Sequence, residues 1–253
     1  MNAAGRRIYI LDILKEKKTV DLIDMAEKFN VSAMTIRRDF KILEEQGTIT
    51  IIHGGAVLND GLAIEQSYYV KQEQMVREKQ KIGLAAAKAV NPGDAVFIDC
   101  GTTPKEVAVG LLNVKDIIVF TNSILAANIL SQSSNNKLIM VPGVFRQKSM
   151  GFIGPMAIDF ISRIRLDCVF LGVEGIELKL GISTPDIDDA LTKKALVEVS
   201  KKRIVVADST KIGKSTLISI APLEQINTIV TCESIPTKYA EDLRKTGVDL
   251  LLV

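Results

Sequence analysis

Between Val31 and Ala56 the apolar positions repeat at helical spacing, stop at a glycine, and resume as a run of strand formers. Ile36, Phe40 and Leu43 share one face of a helix turning about 100° per residue, which leaves Met34, Arg38, Lys41 and Glu45 opposite and Thr35 and Arg37 on the flanks. Ser32 suits the N-cap, because its hydroxyl accepts a hydrogen bond from a first-turn N–H, and Gly47 suits the stop. Residues 48–53 favour a strand, and Gly54-Gly55 favours a tight turn. Upstream, residues 6–17 place Ile10, Ile13 and Leu14 on one face, and residues 20–29 carry Leu22, Ile23, Met25 and Ala26 before the turn Asn30-Val31-Ser32. Three short helices, a turn and a β-ribbon in this order predict a winged helix-turn-helix over residues 1–58.

That motif offers the first turn of its last helix to base edges in the major groove. The expected DNA-contacting residues are Ser32, Ala33, Met34, Thr35, Arg37, Arg38 and Lys41. His53, the only histidine, falls in the wing, within reach of the sugar–phosphate backbone. Residues 1–60 carry equal numbers of basic and acidic side chains, so affinity has to come from local clustering, with Arg6, Arg7, Arg37, Arg38 and Lys41 on one side. Modest affinity per module in turn favours a homo-oligomer, dimer or tetramer.

Residues 59–63 form a small, polar break, and 59–74 read as a linker and helix. A helical pattern covers 65–90, with Tyr68, Tyr69, Met75, Ile82 and Leu84 expected to pack inward. From Asn91-Pro92-Gly93-Asp94 onward the rhythm becomes strand, loop, helix. Strands are expected at 95–99, 117–121, 137–141, 167–173, 203–207, 226–231 and 248–253, and helices at 104–112, 124–131, 155–164, 186–200 and 237–246. Apolar strands alternating with helices predict an α/β domain over 75–253, its sheet covered on both faces.

In such sheets ligands bind at the carboxyl ends of the strands. Asp99-Cys-Gly-Thr-Thr103 follows the first strand and opens a helix. Gly101 allows close backbone approach, and Thr102 and Thr103 place hydroxyls beside the free N–H groups of the helix start, which suits a phosphate. Asn122, Arg146, Glu174, Gly175, Asp208 and Lys211 stand at the later strand ends, Lys211 offering a cation. Each has a plainer reading: Asn122 as a helix cap, Arg146 as an inter-subunit residue, Lys211 as solvated surface. Convergence of five strand ends on small, polar and cationic groups favours a pocket.

The bulk numbers mainly exclude. In 253 residues, 47% hydrophobic, no apolar run approaches the ~18 residues of a membrane span, and the N-terminus lacks a signal-peptide core. Cys100, Cys168 and Cys232 lie far apart in apolar runs, as buried reduced thiols of a cytoplasmic protein do. A single histidine excludes a metal site built mainly from imidazoles, and no cofactor is expected. With 5% aromatics and no Trp, sugar recognition has to rest on hydrogen bonds and charge.

The run from Val31 to Asp39 through His53-Gly-Gly-Ala56 closely resembles the signature of the DeoR family of bacterial transcriptional regulators, and the resemblance covers almost the whole chain. In the larger half the matching pieces are Asp99-Cys-Gly-Thr-Thr103, Thr121-Asn122, Gly143, Gly151, Gly175, Gly181 and Asp208-Ser-Thr-Lys211. The resemblance implies a sensing domain similar in fold to ribose-5-phosphate isomerase and a repressor controlled by a phosphorylated sugar or polyol. It also implies that Gly101, Thr102, Thr103 and Lys211 hold the phosphate. Glu174-Gly175 replaces the commoner Asp-Gly, and Asp188-Asp189-Ala190 the commoner Glu-Ala, both near the expected sugar hydroxyls. Residues 97–104, 151–154 and 159–162 resemble the glycerol-3-phosphate-responsive branch. Two rival readings are a sugar-phosphate isomerase with Asp99, Glu174 or Asp208 as base, and a constitutive DNA-binding protein whose large domain only oligomerises.

Overall fold

The computed structural model describes residues 2–59, 61–133 and 136–253. Met1, where the reading 1–58 begins, and Asp60, in the polar break, lie outside the described residues. The chain divides into two compact units, Met1–Gln74 and Met75–Val253.

In the first unit, α1 (Ala3–Lys17), α2 (Leu22–Phe29) and α3 (Ala33–Glu45) are joined by left-handed caps at Lys18 and Asn30. Ile10, Leu11, Leu14, Ile36, Phe40, Leu43 and Ile49 make its core, and Val70 of α4 (Tyr68–Glu73) joins the same cluster. Strands β1 (Thr19–Asp21), β2 (Ile49–Ile52) and β3 (Gly55–Leu58) form an antiparallel sheet in the order β1-β3-β2. The helix expected over 20–29 therefore starts later. Thr19-Val20-Asp21 pairs with β3, which satisfies its backbone and buries Val20, and the Asp21 carboxylate then caps α2 through Ile23 N and Asp24 N. Ile23 is left exposed. Pairing of Ile52 with Gly55 makes His53-Gly54 the wing turn, with Gly54 at φ +82°, one residue earlier than expected. Gly55 is in β3, where a Cβ would stand 2.0 Å from the Val20 carbonyl oxygen.

Arg6 corrects a second expectation. It is buried, and its Nε lies 2.5 Å from Asp39 Oδ2, so it ties α1 to α3 and does not belong to a DNA-facing cluster. Arg7 Nη1 reaches the other oxygen of Asp39 at 3.4 Å. The helical pattern over 65–90 is also interrupted: α4 ends at Glu73, and Met75, at φ +51°, starts α5 (Val76–Ala87). Tyr69 and Leu84 point to solvent, whereas Tyr68 and Ile82 are buried.

The second unit is built on seven parallel strands: β4 (Ala95–Ile98), β5 (Ile118–Thr121), β6 (Lys137–Met140), β7 (Leu166–Leu171), β8 (Ser200–Val206), β9 (Thr228–Thr231) and β10 (Asp249–Leu252). Their order is β10-β9-β8-β7-β4-β5-β6, every neighbour parallel. One face packs Val96, Ile98, Phe170 and Val206 against α5, α6 (Thr102–Gly110) and α7 (Ile124–Leu130). The other packs Phe97, Val169, Leu171 and Val205 against α8 (Pro155–Ser162), α9 (Ile187–Val199) and α10 (Thr237–Lys245). The sheet is doubly wound, and its order reverses between β4 and β7, the place where ligands bind in such folds. Two smaller sheets were not expected: a hairpin of Val144–Arg146 with Gly151–Ile153, and an antiparallel sheet of Gly175–Glu177, Gly181–Thr184 and Ile218–Ala221. Strands of three or four residues carry no periodicity to read. No helix among the described residues is long and apolar enough to cross a membrane.

Replacing Asp39 by Ala strands the buried Arg6 guanidinium, and breaking one side of such a pair costs about 3–5 kcal/mol. Urea unfolding followed by circular dichroism should show an early loss of helix. An unchanged midpoint would show that the pair contributes nothing.

Candidate functional site

The first face is the exposed start of α3. Ser32 Oγ accepts from Thr35 N at 3.2 Å and lies 2.9 Å from the Thr35 hydroxyl, so the N-cap is made as the sequence predicts. The other end closes when Thr48 N donates to Leu43 O and Gly47, at φ +70°, turns the chain. With Ile36, Asp39, Phe40 and Leu43 buried, Met34, Arg37, Arg38 and Lys41 stand exposed, Ser32 is exposed at the cap, and Ala33 and Thr35 are half-buried. His53 is exposed at the wing turn. This face carries its cations Arg37, Arg38 and Lys41 in the middle turns and the exposed carboxylates Glu44 and Glu45 in its last turn.

The second face is the carboxyl edge of the parallel sheet, centred on Asp99 directly after β4. Its side chain is fully buried. Oδ1 accepts from Cys100 N at 2.8 Å and Asn122 Nδ2 at 3.3 Å, and Oδ2 accepts from Gly172 N at 3.1 Å and Lys193 Nζ at 2.5 Å. Lys193, from α9, also lies 3.1 Å from Asp189 Oδ1, while Thr184 Oγ1 donates to Asp189 Oδ2 at 2.7 Å. Burial works to lower the Lys193 pKa, but the adjacent Asp189 and Asp99 carboxylates outweigh it and hold it well above the usual lysine range. The buried trio is thus an ammonium between two carboxylates.

Gly101 is the N-cap of α6, at φ +136°, and no side chain caps that helix start. Thr102 and Thr103 fill the first turn, both buried, and Pro104 has no N–H to offer. Asn122 is fully buried, and its Oδ1 has no hydrogen-bond partner among the described residues. It does not cap α7; Ser123 Oγ does, accepting from Ala126 N. Arg146 Nε contacts Asp186 Oδ2 at 3.2 Å, and Asp186 Oδ1 caps α9 through Asp189 N. Lys211 Nζ pairs with Glu174 Oε2 at 2.6 Å. Gly175 opens a strand where a Cβ would stand 2.6 Å from the Lys214 carbonyl oxygen. Asp208 Oδ1 accepts from Thr210 N and the Thr210 hydroxyl, and its Oδ2 lies 3.8 Å from the buried Lys79 Nζ.

The structure therefore joins Asp99 to Asn122 and Glu174 to Lys211, while Arg146 and Asp208 bond to partners outside the set read from sequence. Lys193, Thr184, Asp186 and Lys79 were missed. Lys193 had a faint signal, four residues after Asp189 on one helix, and Lys79 had none. The three cysteines are free and buried. Desolvation pushes Cys168 up to about 12 and raises Cys100 as well.

Residues 6–61 match the family model for a DeoR-like helix-turn-helix domain, and residues 74–233 match that for a DeoR C-terminal sensor domain. The chain is 31% identical over 252 residues to the glycerol-3-phosphate regulon repressor of Escherichia coli, covering 100% of each. It is 32% identical over 227 residues to the HTH-type transcriptional regulator IolR of Bacillus subtilis, covering 88% of each. Among solved structures, ribose 5-phosphate isomerase from Plasmodium falciparum is a partial likeness, with a TM-score of 0.39 and 16% identity over 53% of this chain and 52% of that one.

Because desolvation raises the thiol pKa of Cys100 and Cys168, their thiolate is scarce at pH 8, and burial denies access. Disulfide-exchange reagents should label neither in the native state and both in guanidinium. Fast native labelling of Cys100 would mean that the carboxyl edge opens around it.

Proposed function

Because the chain belongs to the DeoR family, we propose that it is a DNA-binding transcriptional repressor of a carbohydrate or polyol utilisation operon. Its effector is a phosphorylated sugar or polyol bound at the carboxyl edge of the second unit, and it acts in the cytoplasm as a homo-oligomer. The observation that carries this reading is the pairing, in one chain, of an exposed face of α3 that bears Arg37, Arg38 and Lys41, beside a wing, with an uncapped helix start at a sheet's reversal point.

Each residue takes a role from its place. Ser32, Ala33, Met34 and Thr35 face base edges, with Arg37, Arg38 and Lys41 serving phosphates or guanine edges and His53 the backbone beside the wing. In a dimer the two reading helices enter successive major grooves, about 34–36 Å apart. In the second unit Gly101, Thr102 and Thr103 hold the phosphate at the start of α6. Lys211 leaves Glu174 to meet it. Asp99, Asn122, Arg146, Glu174, Gly175 and Asp208 border the hydroxyl-bearing part.

An isomerase is disfavoured. Asp99 is held by four donors, one of them the Lys193 ammonium, which ties up the lone pairs a general base needs free. Both relatives described above are named as regulators. For a tenfold effect of the effector on operator affinity, the coupling between the two sites has to reach about 1.4 kcal/mol, with either sign.

Replacing Arg38 by Ala should weaken binding to the selected operator and flatten its salt dependence, since one fewer counterion is released. Unchanged affinity and slope would remove Arg38 from the interface. A thermal-shift panel should pair phosphorylated sugars and polyols, glycerol 3-phosphate among them, with their unphosphorylated parents. A ligand at 100 times its dissociation constant adds about 2.7 kcal/mol of stability, and only a phosphorylated compound should do so. Lys211→Ala should lose that shift and keep DNA binding. A shift that survives in Lys211→Ala places the phosphate elsewhere, and a panel with no shift at all favours a constitutive DNA-binding protein.

A further inference from the structure

The wing is tied to the reading helix by a side chain with no assigned role. Glu44 lies in the last turn of α3, and its Oε1 accepts from Ile51 N at 2.9 Å. β2 is an outer strand of the sheet β1-β3-β2, so its second edge has no strand partner there. Ile51 is the third of the four residues of β2, two before His53 at the wing turn. The base of the same strand is fastened separately: Thr50 Oγ1 donates to Asn59 Oδ1 at 2.9 Å, and Asn59 Nδ2 donates to the Gly47 carbonyl at 3.2 Å. The far half of the strand has the bond from Glu44.

We propose that Glu44 is a positioning residue for DNA binding: through the Ile51 amide it fixes the angle of the wing to α3, so that His53 and the first turn of α3 meet one duplex together. The inference rests on the DNA-binding reading above. Within the sheet β2 is held on one side only, by β3, and the Glu44 bond fixes its open edge before the duplex arrives. A carboxylate on a DNA-facing module repels phosphates, so by charge alone Glu44 is unfavourable there. What the carboxylate adds is an acceptor at the right reach, which glutamine also supplies.

Two full-length variants, Glu44→Ala and Glu44→Gln, carry the same charge and differ in whether the acceptor remains. The probe is a duplex carrying the sequence that the parent protein selects from a random pool. Glu44→Ala should bind it about fivefold more weakly than Glu44→Gln, the factor that one exposed hydrogen bond supplies. Glu44→Gln should match or exceed the parent. Amide exchange at Ile51 should be fast in the alanine variant and slow in the glutamine variant and the parent. Equal affinities for the two variants, or equal Ile51 exchange, would overturn the proposal. If the parent selects no duplex, the DNA-binding reading itself fails, and unequal exchange still shows that Glu44 holds the wing.

Discussion

The second unit depends on one buried carboxylate. Asp99 stands where the parallel sheet reverses its order, and a charge with no exposure there has to be satisfied from inside. The partners come from four directions: the next amide of its own loop, Asn122 after β5, Gly172 after β7, and Lys193 from α9. Each bond fixes an element that the site needs. The Cys100 amide sets the loop into α6, Asn122 sets the turn into α7, and Lys193 anchors α9 across the edge of the sheet. Lys193 in turn needs Asp189, because an ammonium with under a tenth of its surface exposed is costly unless well paired. The trio lies beside the start of α6, where the helix dipole has its positive end.

The same logic orders the first unit on a smaller scale. Asp39 lies on the core side of a helix whose other face must stay free, and burying it draws in Arg6 and Arg7 from α1. The Arg-Arg-Asp run of the reading helix thus divides: Arg37 and Arg38 point outward because Asp39 points inward. A charge count over the module gives no sign of this, since it treats Arg6 and Arg38 alike. Arg6 is spent inside, and the outward face keeps Arg37, Arg38 and Lys41 in its middle turns.

What was legible in the chain was local, and what was hidden was long-range. Ser32, Gly47 and the spacing of Ile36, Phe40 and Leu43 specify α3, because capping and periodicity act within a few residues. The seven parallel strands were legible for the same reason, their apolar runs lying between glycine or polar stops, though the polar opening Ser200-Lys-Lys202 of β8 was not. β1 was hidden because three residues become a strand only through β3, more than thirty residues onward. The break at Met75 was hidden because nothing in Gln-Met signals a left-handed residue. In the site, Asp99, Thr102 and Asn122 were legible from their place after strands. Lys193 and Lys79 sit in mid-helix, and only the tertiary fold tells a buried lysine from a solvated one.

The Glu174–Lys211 pair bears on how such a site can both stand without ligand and respond to it. Both side chains keep about a fifth of their exposure, so the pair is more open to water than the Asp99 trio. Charge-assisted hydrogen bonds donated to a phosphate contribute about 1.5–3 kcal/mol each. An exchange in which a phosphate takes Lys211 from Glu174 would replace one charge-assisted bond by another, and only a difference in that exchange between the operator-bound and operator-free states supplies the roughly 1.4 kcal/mol of a tenfold regulatory effect. The Asp99 trio is buried too deeply for such an exchange, since stripping one partner strands a charge at about 3–5 kcal/mol. The two lysines of this edge thus differ in setting: Lys193 is locked between two buried carboxylates, and Lys211 pairs with one partly exposed carboxylate.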